Sequence, residues 1–189
     1  ITKTLVVIGK IKFVDKIAEI EILSDKAIYE EDKKNYIFNG NINATFLNKF
    51  FLRTEEITYN SLKNLISSKT STEIKDNIGN EFKVSDFKYF DLLKQLNANQ
   101  VKYLDEENNE YELDKIVLDL NTNQILGKDI AINFDNSFFG NAENDPRVRG
   151  TKIFSNKNIT SISKGVFTTC KKDDKCPPWV LSAEEIKHD

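Results

Sequence analysis

ILSDKAIY, residues 22–29, decides the fold because the chain repeats its pattern about every 30 residues. Similar stretches are LRTEEITY at 52–59, FKVSDFKY at 82–89 and YELDKIVL at 111–118, with weaker copies at 148–155 and 181–188. The first and sixth positions are apolar, the third is small or apolar, and the eighth is aromatic or apolar. An acid usually follows the third position. Self-similarity at this period is typical of stacked supersecondary units.

Alternation of apolar and polar residues inside each unit predicts β-strands. Ala18, Ile20 and Ile22 would face one way, and Glu19 and Glu21 the other. Turn-forming residues separate the units at 39–41, 76–80, 106–109 and 121–123. We therefore expect an all-β meander in which each unit holds two or three strands of roughly 5–8 residues.

The alternation breaks within the repeats, at 25–27 and 55–57, where we expect a bulge or bend that re-aims the strand. Two architectures fit such a meander, a β-solenoid and a jelly roll of two facing antiparallel sheets. The polar stretch at 133–146, with its Phe138–Phe139 pair, is expected to be a surface excursion. Residues 1–189 would then form a single domain.

Composition and charge exclude several classes of function. The net charge is −3 with acids and lysines interspersed, so no basic stripe indicates nucleic acid. The apolar run Leu5–Ile8 is far shorter than the roughly 20 residues of a membrane-spanning helix. Carboxylates are scattered, and no phosphate loop or nucleophile motif is present. We expect a protein that is not an enzyme and needs no cofactor.

Residues of special chemistry cluster near the end of the sequence: Cys170, Cys176, Pro177, Pro178 and Trp179. The two thiols can bond to each other, bond to cysteines outside this sequence, or stay free. A metal site with His188 is disfavoured because the spacing fits no common zinc pattern. The two prolines predict a stiff, extended junction, and Trp179 is expected to pack over the end of the domain.

The 30-residue β repeat resembles the OstA-like periplasmic domains of lipopolysaccharide transport proteins. Three closing stretches, GVFTTC (165–170), CPPW (176–179) and LSAEEIKHD (181–189), are similar to the junction before the transmembrane barrel in the LptD/OstA family of outer-membrane lipopolysaccharide-assembly proteins. NDPR (144–147) with Gly150 is also similar to that family.

This resemblance implies an open, twisted jelly roll with a groove for lipid A acyl chains, in the periplasmic part of an outer-membrane protein. It also implies a β-barrel beyond residue 189 and a lipoprotein plug as partner. The thiols depart from the family's better-known arrangement, in which one lies near the mature N-terminus. We favour a bond from Cys170 or Cys176 to the barrel, which would lock the groove's exit over it.

Alternate apolar side chains of both sheets would line the groove, where each buried CH₂ contributes about 0.8 kcal/mol. Without the resemblance, the same residues are more simply an ordinary core. The expected lining residues are Ile20, Ile22, Ala27, Ile42, Phe50, Leu52, Ile57, Phe82, Val84, Phe87, Tyr111, Leu113 and Ile116.

The first strand, Leu5–Ile8 with Ile11 and Phe13, is our candidate for a free sheet edge to which a bridge protein of the same fold adds a strand. The alternative is an ordinary paired strand. Two other functions fit the sequence, a free-standing periplasmic lipopolysaccharide bridge protein and a β-solenoid surface or adhesion module with a filled core.

Overall fold

The computed structural model describes residues 3–77, 79–140, 144–172 and 179–188, without the side chains of residues 138, 139 and 188. These residues form one sheet of fourteen strands. The first seven strands are β1 (Thr4–Asp15), β2 (Ile20–Glu30), β3 (Asn35–Phe46), β4 (Phe50–Asn60), β5 (Leu65–Ser68), β6 (Thr72–Asp76) and β7 (Glu81–Val84). The others are β8 (Asp86–Phe90), β9 (Gln95–Leu104), β10 (Glu110–Asp119), β11 (Gln124–Asn133), β12 (Arg147–Ser155), β13 (Thr160–Thr168) and β14 (Leu181–His188). Two short 3₁₀ helices span Asp91–Leu93 and Asn136–Phe139.

The strands follow one another across the sheet as antiparallel hairpins, from β1 at one edge to β14 at the other. Between β4 and β9 the long strands are split in two, so that β5 and β8 continue one half of the sheet and β6 and β7 the other. Every pairing among the described residues is antiparallel, which is incompatible with the parallel stacking of a β-solenoid.

A corner crosses the middle of the long strands and folds the sheet into two facing walls. The register shifts there in the pairs β1–β2, β2–β3 and β3–β4, as an extra residue in one strand requires. In β3 the corner is made by Gly40 and Asn41 with φ of 80° and 44°. Such angles are disfavoured for most residues and suit glycine and asparagine. The bends expected at 25–27 and 55–57 are confirmed.

The acid of the sequence repeat is the corner residue. Its carboxylate accepts a hydrogen bond from a side-chain amide of the neighbouring strand, which holds the bend. Three such bonds join Asn41 to Asp25 (2.6 Å), Asn99 to Asp86 (2.8 Å) and Gln100 to Asp114. In β4, buried hydroxyls hold the corner instead, with Thr54 lying 2.9 Å from Thr70 and 3.1 Å from Thr72 between their hydroxyl oxygens.

Each wall takes one half of every long strand. The first wall contains 11–15, 20–24, 42–46, 50–54, β6, β7, 101–104, 110–113, 130–133, 147–150, 166–168 and 181–183. The second wall contains 4–8, 26–30, 35–39, 56–60, β5, β8, 95–99, 115–119, 124–128, 152–155, 160–163 and 185–188. The expectation of an all-β, open jelly roll with two facing antiparallel layers is confirmed.

The strand length expected from the sequence was wrong. β1, for example, runs for 12 residues and β2 for 11, where 5–8 were expected. A bulge bends a strand without ending its hydrogen-bond ladder, so the two halves of a unit remain one strand. Among the described residues, the corner interrupts the strands near 69–71 and Ser85, which leaves the short strands β5 to β8.

Inward-facing side chains of both walls form one core, and the alternation predicted for β2 is confirmed. Ala18, Ile20, Ile22 and Ser24 are buried. The loop at 133–146 leaves the sheet after β11, and its base is closed by a hydrogen bond from the Phe134 amide to the Pro146 carbonyl (2.9 Å). The side chains of its phenylalanine pair lie outside the described part.

Candidate functional site

An apolar cavity of about 60 Å³ lies between the two walls. Its first-wall lining comes from β3, β4, β6 and β7, and its second-wall lining from β8, β9 and β10. The lining residues are Phe46, Leu47, Phe50, Leu52, Ile74, Phe82, Val84, Phe87, Tyr89, Leu96, Ile116, Leu118 and Leu120.

Two leucines from opposite turns mark the mouth of this cavity. Leu47 lies in the turn after β3, and its amide donates to the Glu19 carbonyl (3.0 Å). Leu120 follows β10, and its amide donates to the Lys94 carbonyl (2.8 Å). Both side chains are partly buried against the core. These turns lie at the tips of the walls, opposite the corner, so the cavity opens where the two layers part.

The interior is filled at its β1 end. The Phe13 ring, on the first wall, lies with its centroid 5.2 Å from that of Phe38 and 5.9 Å from that of Tyr59, both on the second wall. The Tyr59 hydroxyl donates to Asp15 Oδ2 (2.9 Å) at the end of β1. Hydrogen bonds from the Ala18 amide and then from Tyr59 hold the pKa of Asp15 below its usual value. At the β1 end, the two walls are therefore in contact.

The thirteen residues expected to line a groove all lie in the core or pack against it. Those that line the cavity are Phe50, Leu52, Phe82, Val84, Phe87 and Ile116. Those that pack elsewhere in the core are Ile20, Ile22, Ala27, Ile42, Ile57, Tyr111 and Leu113.

Sequence reasoning missed the other seven cavity residues, which fall into three groups. Tyr89 and Leu118 stand at the eighth position of the repeat, so their signal was present in the pattern. Phe46, Ile74 and Leu96 lie on returning strands, which the repeat template does not cover. Leu47 and Leu120 lie in turns, where alternation carries no information.

Tyrosine hydroxyls border the first wall beyond the cavity. The Tyr103 ring stacks on Phe82 at 4.6 Å between centroids, and its hydroxyl donates to Asn80 Oδ1 (3.1 Å). The Tyr111 hydroxyl donates to Asp105 Oδ2 (3.1 Å). Burial raises the pKa of Tyr103 to about 12, and burial followed by the charge of Asp105 raises that of Tyr111 further. The tyrosine rings thus face the interior, and their hydroxyls lie at the rim of the interior.

The outer face of the first wall is also concave, with a trough of about 890 Å³. Its sides carry cross-strand ion pairs, of which Lys75–Glu81 and Lys102–Glu112 are each 2.8 Å. These charges are exposed, and such pairs contribute about 0–1 kcal/mol each. The trough is larger than the inner cavity and exposes Leu23, Phe51 and Leu104, but charged side chains alternate with these apolar ones.

Cys170 lies buried at the end of β13, where its thiol donates to the Trp179 carbonyl (3.7 Å). The NDPR stretch fixes this segment, because the Lys172 amide donates to Asp145 Oδ2 (2.7 Å) and the Arg147 guanidinium to the Cys170 carbonyl. Cys170 forms no disulfide within the described ranges. Its candidate partner Cys176, with Pro177 and Pro178, lies outside them.

Trp179 packs edge-on against Phe167 with 5.9 Å between ring centroids, at the end of the first wall. In the part of the chain that the structure describes, no three His, Cys, Asp or Glu side chains are grouped to hold a metal. The same residues contain no helix long and apolar enough to cross a membrane.

Comparison with known proteins finds similar folds among solved structures. No family model matches the chain, and no curated protein does. Among solved structures, the chain is similar to LptH from Pseudomonas aeruginosa, described as the LptA-homologous periplasmic component of the lipopolysaccharide transport device. The TM-score is 0.48 at 19% identity, over 56% of this chain and 78% of LptH.

Proposed function

We propose that this protein is a non-enzymatic carrier that shields lipopolysaccharide acyl chains between its two walls in the periplasm. The closing sequence suggests that the chain is the periplasmic domain of an outer-membrane assembly protein. This domain would receive lipid from a bridge protein and pass it to a β-barrel that holds a lipoprotein plug. A free-standing bridge protein is the alternative form. Both forms of the protein need the same apolar interior between the walls.

The observation that carries the proposal is the apolar cavity with its mouth between the wall tips. An alkyl chain placed there leaves water at about 0.8 kcal/mol for each buried CH₂. Aliphatic and aromatic contacts are non-directional, so the chain can slide along the walls without meeting one deep minimum. Such a lining suits a molecule that must be accepted and released again.

The cavity has room for only part of a lipid. Drug-sized pockets are typically about 300–1,000 Å³, against about 60 Å³ here. Acceptance of a whole acyl chain therefore requires the wall tips to separate. Because the walls are joined through the corner, separation at the tips can leave the strand ladders within each wall intact.

The edges of the sheet suit a partner of the same fold. β1 pairs only with β2 among the described residues, and four consecutive apolar side chains on it, Leu5–Ile8, are exposed. β14 is the opposite edge, where Leu181 is exposed. A long apolar edge with unpaired backbone groups favours strand addition, which would continue the walls from one molecule into the next.

Photo-crosslinking tests the proposal with purified lipopolysaccharide. A benzophenone amino acid at Phe82 or Leu118 lines the cavity. One at Lys83 or Val117 replaces an adjacent residue on the same strand, whose side chain points to the other face of its wall. We expect capture from the first pair and little from the second. Equal capture of lipopolysaccharide by both pairs, or capture by neither, contradicts the proposal and favours an adhesion module instead.

A further inference from the structure

The interior of the roll is filled at its β1 end, and the cavity lies farther along, between β3 and β10. Phe13 projects from the first wall into a group of second-wall rings, with centroids 5.1 Å from Tyr36, 5.2 Å from Phe38 and 5.9 Å from Tyr59. These rings occupy the space that becomes a cavity between β3 and β10. Ile57, the cross-strand partner of Phe38, has no exposed surface.

A polar contact closes the same end from outside the rings. The Tyr59 hydroxyl, from the second wall, donates to Asp15 Oδ2 at 2.9 Å. The other carboxylate oxygen of Asp15 accepts the amides of Ile17 and Ala18, each at 3.0 Å. The carboxylate is therefore held in place by its own turn, and Tyr59 reaches across the wall tips to it.

Phe13 and Asp15 both belong to an edge strand of the sheet. β1 is an edge strand, its first half is exposed, and its register with β2 shifts between Ile8 and Ile11. Edge elements with few buried contacts open at lower free energy than central strands. A displacement of β1 would withdraw the ring and the carboxylate together.

We propose that Phe13, Asp15 and Tyr59 form a latch that closes the β1 end of the interior to alkyl chains, and that β1 must shift before a chain passes there. The inference rests on the proposed function, because it assumes that the interior accepts an alkyl chain. It adds that the β1 end of the interior is gated.

The latch is tested with palmitic acid carrying a diazirine, photolysed with the protein and mapped by mass spectrometry. Phe13→Ala removes the ring, and Tyr59→Phe removes only the hydrogen bond. Tyr103→Phe is the matched control, because it loses a hydroxyl bond of 3.1 Å to Asn80 away from β1. Circular dichroism confirms that each variant is folded.

In the wild type and in Tyr103→Phe, labelling should be confined to the cavity, at peptides containing Leu96 and Leu118. In Phe13→Ala and Tyr59→Phe, it should extend to peptides containing Phe38 and Ile57. The increase in Tyr59→Phe should be about fivefold, as the loss of one hydrogen bond implies. Labelling of Phe38 and Ile57 in the wild type, or its absence from both latch variants while the cavity is labelled, overturns the latch.

If the probe labels no interior peptide in any protein, the proposed function fails, and amide hydrogen exchange then decides the latch. Exchange at residues 12–15 about fivefold faster in Tyr59→Phe than in Tyr103→Phe supports a latch that restrains β1. Equal exchange rates in the two variants overturn it.

Discussion

Replacing Ile116 with alanine should enlarge the cavity between the walls and strengthen its hold on an alkyl chain. Ile116 is 7% exposed and lines the cavity from the second wall. Removing a buried isoleucine side chain beyond Cβ costs about 2–5 kcal/mol of unfolding free energy. Without ligand, we expect the free energy of unfolding to fall by about 3 kcal/mol, because the neighbouring side chains already border a cavity and should collapse little into the new space.

An alkyl chain that enters the enlarged cavity should restore part of this loss. It can replace about three methylene equivalents, which correspond to roughly 2 kcal/mol at about 0.8 kcal/mol each. The assay is urea unfolding of the wild type and the variant, with and without palmitic acid below its critical micelle concentration. The ligand should stabilise Ile116→Ala by roughly 2 kcal/mol more than it stabilises the wild type.

Ile66→Ala is the matched control. Ile66 is also on the second wall and is 0% exposed, but it does not line the cavity. Its loss should destabilise the protein similarly, by about 2–5 kcal/mol, without any gain in ligand stabilisation. Equal rescue of the two variants, or no rescue of Ile116→Ala, would refute the reasoning that the cavity accepts the chain.

Three other predictions concern packing, ionisation and the sheet edge. Gly150→Ala should lower the free energy of unfolding in urea by about 1–3 kcal/mol, because its Cβ would lie 2.3 Å from Ile162 Cγ2; a loss below about 0.5 kcal/mol, the usual surface effect, would contradict that packing. Tyr103 should ionise near pH 12 in an absorbance titration at about 295 nm, and stability from its un-ionised form should persist below pH 10 and disappear as pH rises through about 12. Ionisation of all tyrosines near pH 10 in the folded protein would show that burial does not raise the pKa of Tyr103. Ile8→Lys should weaken concentration-dependent association in analytical ultracentrifugation and change unfolding free energy by less than about 0.5 kcal/mol, because Ile8 is 79% exposed on the β1 edge; unchanged association would exclude this edge as the contact.

The repeat in the sequence predicts the fold well because each of its positions has a separate physical role. Residues such as Ile22 alternate with exposed neighbours, and the acid after the third position, such as Asp25, stands where the strand bends. The length of the strands could not be predicted in the same way. A break in alternation looks alike whether a strand bends, as at Gly40, or ends, as near Ser85.

The candidate site is less predictable, because alternation shows which side chains face inward but not how far apart the walls stand. Ile57 and Phe87 occupy the same position of the repeat, yet the first is fully buried beside Phe38 and the second lines the cavity. The difference arises from contacts between walls. Phe13 and Tyr59 are 46 positions apart in the sequence, and their contact depends on the fold of the whole sheet.

Paramagnetic broadening of methyl signals tests most directly whether an alkyl chain lies between the walls. The protein is labelled at leucine and isoleucine methyls and mixed with a fatty acid that carries a nitroxide on its chain, below the micelle concentration. We predict the strongest broadening for Leu96, Ile116 and Leu118, which line the cavity from the second wall, and weaker broadening for Leu23 on the outer face of the first wall. Broadening of Leu23 with sharp signals from the cavity methyls would contradict the account.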